Sequence, residues 1–281
     1  MNDGLHLDVG DGHAIRVLPF GNPAGVPVVC LHGGPGSGCS PEMQSLFDAA
    51  RHRVVFIDQR GAGQSLPARS RHANTTAHLI ADMERVRAHL GIDRWLVVGG
   101  SWGVTLALAY AQTHPSRVTG LALRATFLGT RAELDWAFRA ALAAFQPALH
   151  DALFALVAPA DRHDPLRAVW RLILHPDPAV HAPAVRAFYR AERALSQLGT
   201  PAPLPDEAPL PATPFMEAHY FLNDCFLPPD SLLAGADRLA GVPGIMVQAR
   251  LDLLCPPRMS HRLAPIGRNR RSGSSRRRAM P

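Results

Sequence analysis

The stretch "VVGGSWGVTLALAY", residues 97–110, decides how the rest of the chain is read. A β-branched run ends in two glycines, Ser101 follows, Gly103 permits a tight turn, and apolar residues resume at helical spacing. Residues 99–103 fit G-x-S-x-G with a strand before and a helix after, the setting that this pattern requires. The glycines flank a strained turn in which larger side chains would clash. The turn holds Ser101 at the carboxyl end of a sheet, near the positive end of the following helix. Ser101 is the candidate nucleophile. A phosphate-binding G-x-G-x-x-G is excluded because its spacing is absent.

Working outward, "VPVVCLH" (26–32), "RVVFID" (53–58) and "VTGLALRA" (118–125) join "WLVVGGS" (95–101) as short apolar runs. Between them "TAHLIADMERVRAHL" (76–90) places Leu79, Met83, Val86 and Leu90 on one helical face. Continuous apolar strands alternating with amphipathic helices predict an α/β fold with a doubly wound, mostly parallel sheet. After residue 127 the rhythm changes. Residues 131–200 carry helical periodicity, "TPAPLPDEAPLPATP" (200–214) is too rich in proline for helix or inner strand, and "GIMVQARLD" (244–252) is a last strand-like run. The expected organisation is a core over 1–127, a mostly helical insertion over 128–240, a second core segment over 241–257, and an Arg-rich tail over 258–281.

Composition narrows the class. With 281 residues, 47% hydrophobic and 19% charged, the chain is globular rather than disordered. No apolar run approaches the roughly 18–20 residues of a membrane span, and "MNDGLHLDVGDGHAIRV" lacks the build of a signal peptide. Four scattered cysteines form neither a disulfide framework nor a CxxC metal site, so a reduced, cytoplasmic protein without metal or other cofactor is expected. The net charge of +6 is a property of the tail: residues 1–257 hold 21 Arg against 23 acidic residues. A nucleic-acid surface spread over the fold is thereby excluded. All 29 basic residues are Arg, as a GC-rich coding sequence favours.

Three further stretches bear on chemistry. "LHGGPG" (31–36) follows the first inner strand, and Gly33 and Gly34 let backbone N–H groups approach a substrate carbonyl, with the Trp102 N–H as the second donor. "DQRGAGQS" (58–65) offers Asp58 and Arg60, read as a brace for the surrounding loops. In "ARLDLLCPP" (249–257), Asp252 lies just past a late strand, the place of the carboxylate in the order Ser…Asp…His.

Together "HGGPG", "DQRGAGQS" and "GGSWGVTLALAYAQTHP" closely resemble the proline iminopeptidase family of α/β-hydrolases, from about residue 10 to Pro257. The resemblance implies an α/β-hydrolase core under a helical cap, and a serine aminopeptidase that releases N-terminal proline from peptides. It implies Ser101 as nucleophile, Asp252 as triad acid, and oxyanion donors near Gly34 and at Trp102. Glu192 in "AFYRAERAL" (187–195) and Glu217 in "PFMEAHYF" (214–221) resemble the family's amine-binding acids, which must meet a cationic N-terminus. Phe127 and Arg131 fall where the family lines its proline pocket. The partner implied is a peptide; oligomeric state has no signature.

The triad histidine is not found. The family pattern puts it in a Gly-His loop about thirty residues past the acid, after a further strand and helix. Here that position reads "RRRAMP", and no Gly-His pair follows Asp252. His261 is the only later histidine, nine residues on and inside an expected helix. After Pro257 no strand pattern is evident. An interaction tail is one reading of this basic run; the preferred one is a frame shift near 258–268, since "RAMP" can be encoded CGG-GCC-ATG-CC, which two nucleotides along reads Gly-His-Ala. The sequence thus predicts impaired turnover. A different serine hydrolase (an esterase or amidase) and a catalytically inactive binding homologue are the alternatives.

Overall fold

The computed structural model describes residues 4–197, 201–264 and the backbone of 271–275. Eight strands form one sheet: β1 (Leu5–Gly10), β2 (His13–Gly21), β3 (Val26–Leu31), β4 (His52–Ile57), β5 (Trp95–Ser101), β6 (Val118–Thr126), β7 (Gly244–Ala249) and β8 (Arg271–Ser275). Their order is β1-β2-β4-β3-β5-β6-β7-β8. β1 and β2 run antiparallel, while β4 through β8 are parallel neighbours. The four inner runs expected from the sequence are β3, β4, β5 and β6, and "GIMVQA" is β7.

Two departures have physical reasons. β1 and β2 alternate more and less exposed residues, as half-solvated antiparallel strands do, so they carry no continuous apolar run. In the tail, where no strand was expected, the backbone of "RSGSS" lies parallel to β7, pairing Ile245 with Arg271 and Ala249 with Ser275. Edge pairing needs backbone hydrogen bonds, which this segment offers whatever its side-chain propensity.

Helices α1 (Thr76–His89) and α2 (Trp102–Thr113) cover the sheet. Thr75 caps α1 by accepting from the His78 N–H, and Leu79, Met83 and Val86 are its buried face. α2 is buried from Trp102 through Gln112, which explains a helix with no polar face.

The insertion is helical, as its periodicity predicts. It comprises α3 (Arg131–Asp135), a π-helical turn at Trp136–Ala141, α4 (Leu142–Phe145), α5 (Pro147–Phe154), α6 (Pro165–Ile173), α7 (Pro178–Ser196), α8 (Thr213–Leu222) and α9 (Ser231–Ala234). α6 buries Leu166, Val169, Trp170 and Ile173, the i, i+3, i+4, i+7 stripe of an amphipathic helix. The proline-dense stretch is irregular until α8 begins at Thr213, with Pro214 in the first turn, where its missing N–H costs nothing. The chain then re-enters the sheet at β7 and continues into α10 (Pro257–Leu263). Among the described residues no helix is long and apolar enough to cross a membrane.

The loop after β4 is braced as its charges suggested. The Asp58 carboxylate accepts from the Cys39 and Gln64 N–H groups at 2.6 and 2.9 Å. Arg60, fully buried, grips Asp82 of α1 through two bonds of 2.7 and 2.8 Å and also bonds Asp11 and the Ala73 carbonyl. Removing one partner of such a pair strands the other charge. Arg60→Met is therefore expected to cost about 3–5 kcal/mol. Calorimetry should show that loss, with part of it regained when Asp82→Leu is added.

Candidate active site

Ser101 closes β5 and opens α2 with φ 54° and ψ −121°, a conformation that L-residues avoid. The neighbouring glycines explain how the turn is built. A Cβ on Gly99 would lie 2.2 Å from the Gly103 carbonyl oxygen, and one on Gly103 would lie 2.4 Å from that of Leu31. The start of α2 thus passes directly against the end of β3, and only hydrogen fits between them.

The same approach brings Trp102 and the "HGGPG" loop to the nucleophile turn. Trp102 is the first residue of α2, so its N–H has no intrahelical acceptor. The "HGGPG" loop leaves β3 beside it: a Cβ on Gly33 would stand 3.3 Å from the Gly100 oxygen and 3.6 Å from Ser101 Cβ. Gly34 has φ 101°, which glycine adopts without strain. His32 is buried, and burial lowers its pKa. Its Nε2 accepts from the Gln59 N–H at 3.1 Å, so the Nδ1 proton goes to the Gly33 carbonyl at 2.8 Å. The ring is a neutral structural group with both nitrogens engaged.

Asp252 lies past β7. Its Oδ1 accepts from the Cys255 N–H at 2.8 Å, and Gln248 Nε2 approaches Oδ2 at 3.4 Å. Burial raises its pKa against those bonds. Gln248 joins this turn to the nucleophile's strand pair: its Nε2 donates to the Cys255 carbonyl at 2.7 Å, and its Oε1 accepts from the Thr126 N–H at 3.0 Å. Thr126 is the register partner of Ser101. Among the described residues Cys255 Sγ lies within reach of Ser101 Oγ at 3.7 Å, and no imidazole does. Burial raises the Cys255 thiol, so it stays protonated and is no base. His261 does lie in a helix, α10, but it is exposed, whereas the preceding Ser260 turns inward and bonds Thr126 Oγ1 at 2.7 Å. It does not serve Ser101.

The cap is seated on this turn by α8. The Tyr220 ring meets Trp102 edge-on at 4.7 Å, and its hydroxyl donates to Asn74 Oδ1 at 2.7 Å. Met216 occupies the space left by the absent side chains of Gly36 and Gly61. α8 carries Glu217 and α7 carries Glu192, and the two carboxyls are hydrogen-bonded to each other. Glu217 is buried and its Oε2 has no partner. Burial moves both up, Glu192 to about 7, and the like charge of Glu192 raises Glu217 further. Phe127 is buried edge-on against Phe221, one turn past Glu217, at 6.0 Å. Arg131 turns to Asp164 with two bonds of 2.7 and 3.2 Å, also pairs with Asp135, and lies 5.8 Å over the Trp170 ring.

The α/β-hydrolase fold family matches residues 26–265. A proline iminopeptidase of Xylella fastidiosa strain Temecula1 is 43% identical over 255 residues, covering 89% of this chain and 82% of that protein. A probable proline iminopeptidase of Streptomyces coelicolor is 44% identical over 262 residues, covering 88% and 80%. This chain belongs to the proline iminopeptidase family of α/β-hydrolases. In structure it resembles a hydrolase of Pseudomonas aeruginosa (TM-score 0.61, 17% identity, 98% and 90% covered). It also resembles a proline iminopeptidase of Mycobacterium smegmatis (TM-score 0.55, 21% identity, 96% and 89% covered). Those two likenesses concern the fold.

Membership of a hydrolase family fits the gathering of Ser101, Trp102, the "HGGPG" loop and the Asp252 turn at one sheet edge. Gln59, Gln248 and Cys255 also belong to that gathering, and the sequence reading missed all three. "DQRG" draws the eye to its charges, and a glutamine has no chemistry that spacing alone reveals. The conformation of Ser101 supplies a direct check. A strained residue of this kind costs about 1–3 kcal/mol, and glycine gives back part of that relief as unfolded-chain entropy, about 0.5–1 kcal/mol. Ser101→Gly is expected to be more stable than Ser101→Ala by about 1 kcal/mol in urea unfolding.

Proposed function

We propose that this chain is built to release N-terminal proline from peptides through an acyl-enzyme, and that as written it lacks the base for that reaction. The observation that carries the reading is the pair of half-buried Glu192 and buried Glu217, on helices α7 and α8, the latter packed on the G-x-S-x-G turn through Tyr220 and Trp102. A carboxyl oxygen left unpartnered in a buried site is costly in a folding role and useful for binding a cation. In this reading Ser101 attacks the prolyl carbonyl and the N–H groups of Gly34 and Trp102 receive the oxyanion. Asp252 is the triad acid, and Glu192 and Glu217 hold the imino group. Phe127 packs on the pyrrolidine ring, and Arg131 acts at the pocket wall through its links to Asp164 and Trp170. The substrate is a peptide and the setting the cytoplasm, in keeping with four free cysteines.

Loss of the histidine in a worked serine-protease triad costs on the order of six powers of ten in kcat. Turnover of an L-proline anilide is expected to be lower by several powers of ten in this chain than in a protein with the frame restored. The frame shift is supported by α10, whose Met259 and Leu263 are buried and whose Ser260 bonds Thr126, so the native frame extends to about residue 263. Sequencing codons 255–281 and translating all three frames tests it; a gene with no Gly-His in any frame ends the idea. Preference for simple esters over the anilide in the restored protein would mark an esterase instead. A second reading, a homologue that binds without turnover, is favoured by the same contact of Ser101 with Cys255 rather than histidine. It predicts prolyl peptide binding with no hydrolysis in the native gene product.

The acidic pair gives a pH dependence. Both carboxyls are raised above the ordinary 4.5, so the stability that they permit is full below that value and is lost as pH rises through about 7. The melting temperature of the free protein is expected to fall across that window, and Glu217→Gln to flatten the fall. L-prolinamide affinity should rise over the same window, because the cation binds the ionised pair. An affinity indifferent to pH between 4.5 and 7 would remove the pair from the amine site.

A further inference from the structure

Gln59 stands just past β4, between the two braces that fix its loop: Asp58 is held to the Cys39 and Gln64 N–H groups, and Arg60 to Asp82. The residue is 3% exposed, and every polar atom of its amide is used. Oε1 accepts from the Trp102 indole N–H at 2.8 Å, and Nε2 donates to the His32 carbonyl at 3.1 Å. Its backbone N–H donates to His32 Nε2 at 3.1 Å, the bond that sets the tautomer and sends the Nδ1 proton to the Gly33 carbonyl. Three bonds thus run from one residue to the two segments that bear the N–H groups of Gly34 and Trp102.

Those segments leave the sheet from different strands, β3 and β5. Where the loop passes the nucleophile turn, at Gly33, the approach is one of van der Waals spacing. We propose that Gln59 is the positioning residue of the oxyanion hole: its single planar amide fixes the "HGG" peptides relative to Trp102, so that both N–H donors face Ser101 together. The proposal rests on the reading of Ser101, Gly34 and Trp102 given above. The requirement for a donor and an acceptor on one rigid group explains a glutamine here. A glutamate would set a carboxylate oxygen against the His32 carbonyl, beside the place where negative charge develops. Asparagine is one methylene too short to span the same gap.

The test compares a tetrahedral ligand with a planar one on the full chain. Pyrrolidine-2-boronic acid adds to a serine: an Oγ lone pair forms the O–B bond, the hydroxyl proton passes to solvent, and the boronate anion presents an oxygen to the N–H donors. L-prolinamide occupies the same site without that oxygen. Affinities come from calorimetry and the state of boron from its NMR shift. Gln59→Met and Gln59→Glu are expected to weaken the boronate by about 10²–10³-fold, the scale of losing an oxyanion donor, while prolinamide changes by less than about twofold. Trp102→Phe removes the indole end of the link, keeps the main-chain N–H, and is expected to lose about tenfold on the boronate alone; it decides the matter should the Gln59 variants not fold. Equal losses on both ligands, or an unweakened tetrahedral boronate in these variants, would overturn the proposal and leave the Ser101 reading standing. A wild-type chain that binds prolinamide but holds boron only in trigonal form would overturn the Ser101 reading and the proposal with it.

Discussion

Everything at the candidate site depends on one close crossing of backbones. The end of β5 turns into α2 directly against the end of β3, with Gly103 facing the Leu31 carbonyl at a distance that no Cβ survives. At that crossing Ser101 has positive φ, Trp102 opens α2, and the "HGGPG" loop lies against the nucleophile turn. Preorganised donors are effective because their orientation is set during folding rather than during reaction. The strain at Ser101 and the burial of α2 are two sides of the same arrangement: a helix packed on every side holds a turn that would otherwise relax.

Buried charge divides into two kinds in this molecule. Arg60 and Asp82 answer each other with two short bonds, and Glu133 accepts from the N–H groups of Leu128 and Thr130 and from the Thr130 hydroxyl. These groups are satisfied from within the protein and brace loops. Glu217 is buried as deeply, yet its outer oxygen meets nothing and its inner partner is another acid. Folding gains nothing from such a pair. An external cation would, which is why the proposed amine site is placed here.

Much of this was legible in the sequence because the signals were of a kind that spacing carries. The apolar runs of β3 through β7 and the stripe of α1 mark elements buried on both faces or on one. G-x-S-x-G and "HGGPG" mark places where only glycine fits. β1 and β2 were not legible, since half-solvated strands dilute the apolar signal with alternating polar residues. Gln59 and Gln248 were not legible for a different reason. Each acts by bonding backbone and side chains from distant segments, and such partnerships exist only once the topology is known.

The strand order also bears on the missing base. β8 pairs with β7 in parallel, with Ser275 beside Ala249, so β8 ends at the same carboxyl edge as the Asp252 turn. In this sequence the residues after Ser275 are Arg276 to Pro281, which include no titrating base near neutral pH. Arginine stays protonated and can accept nothing from Ser101.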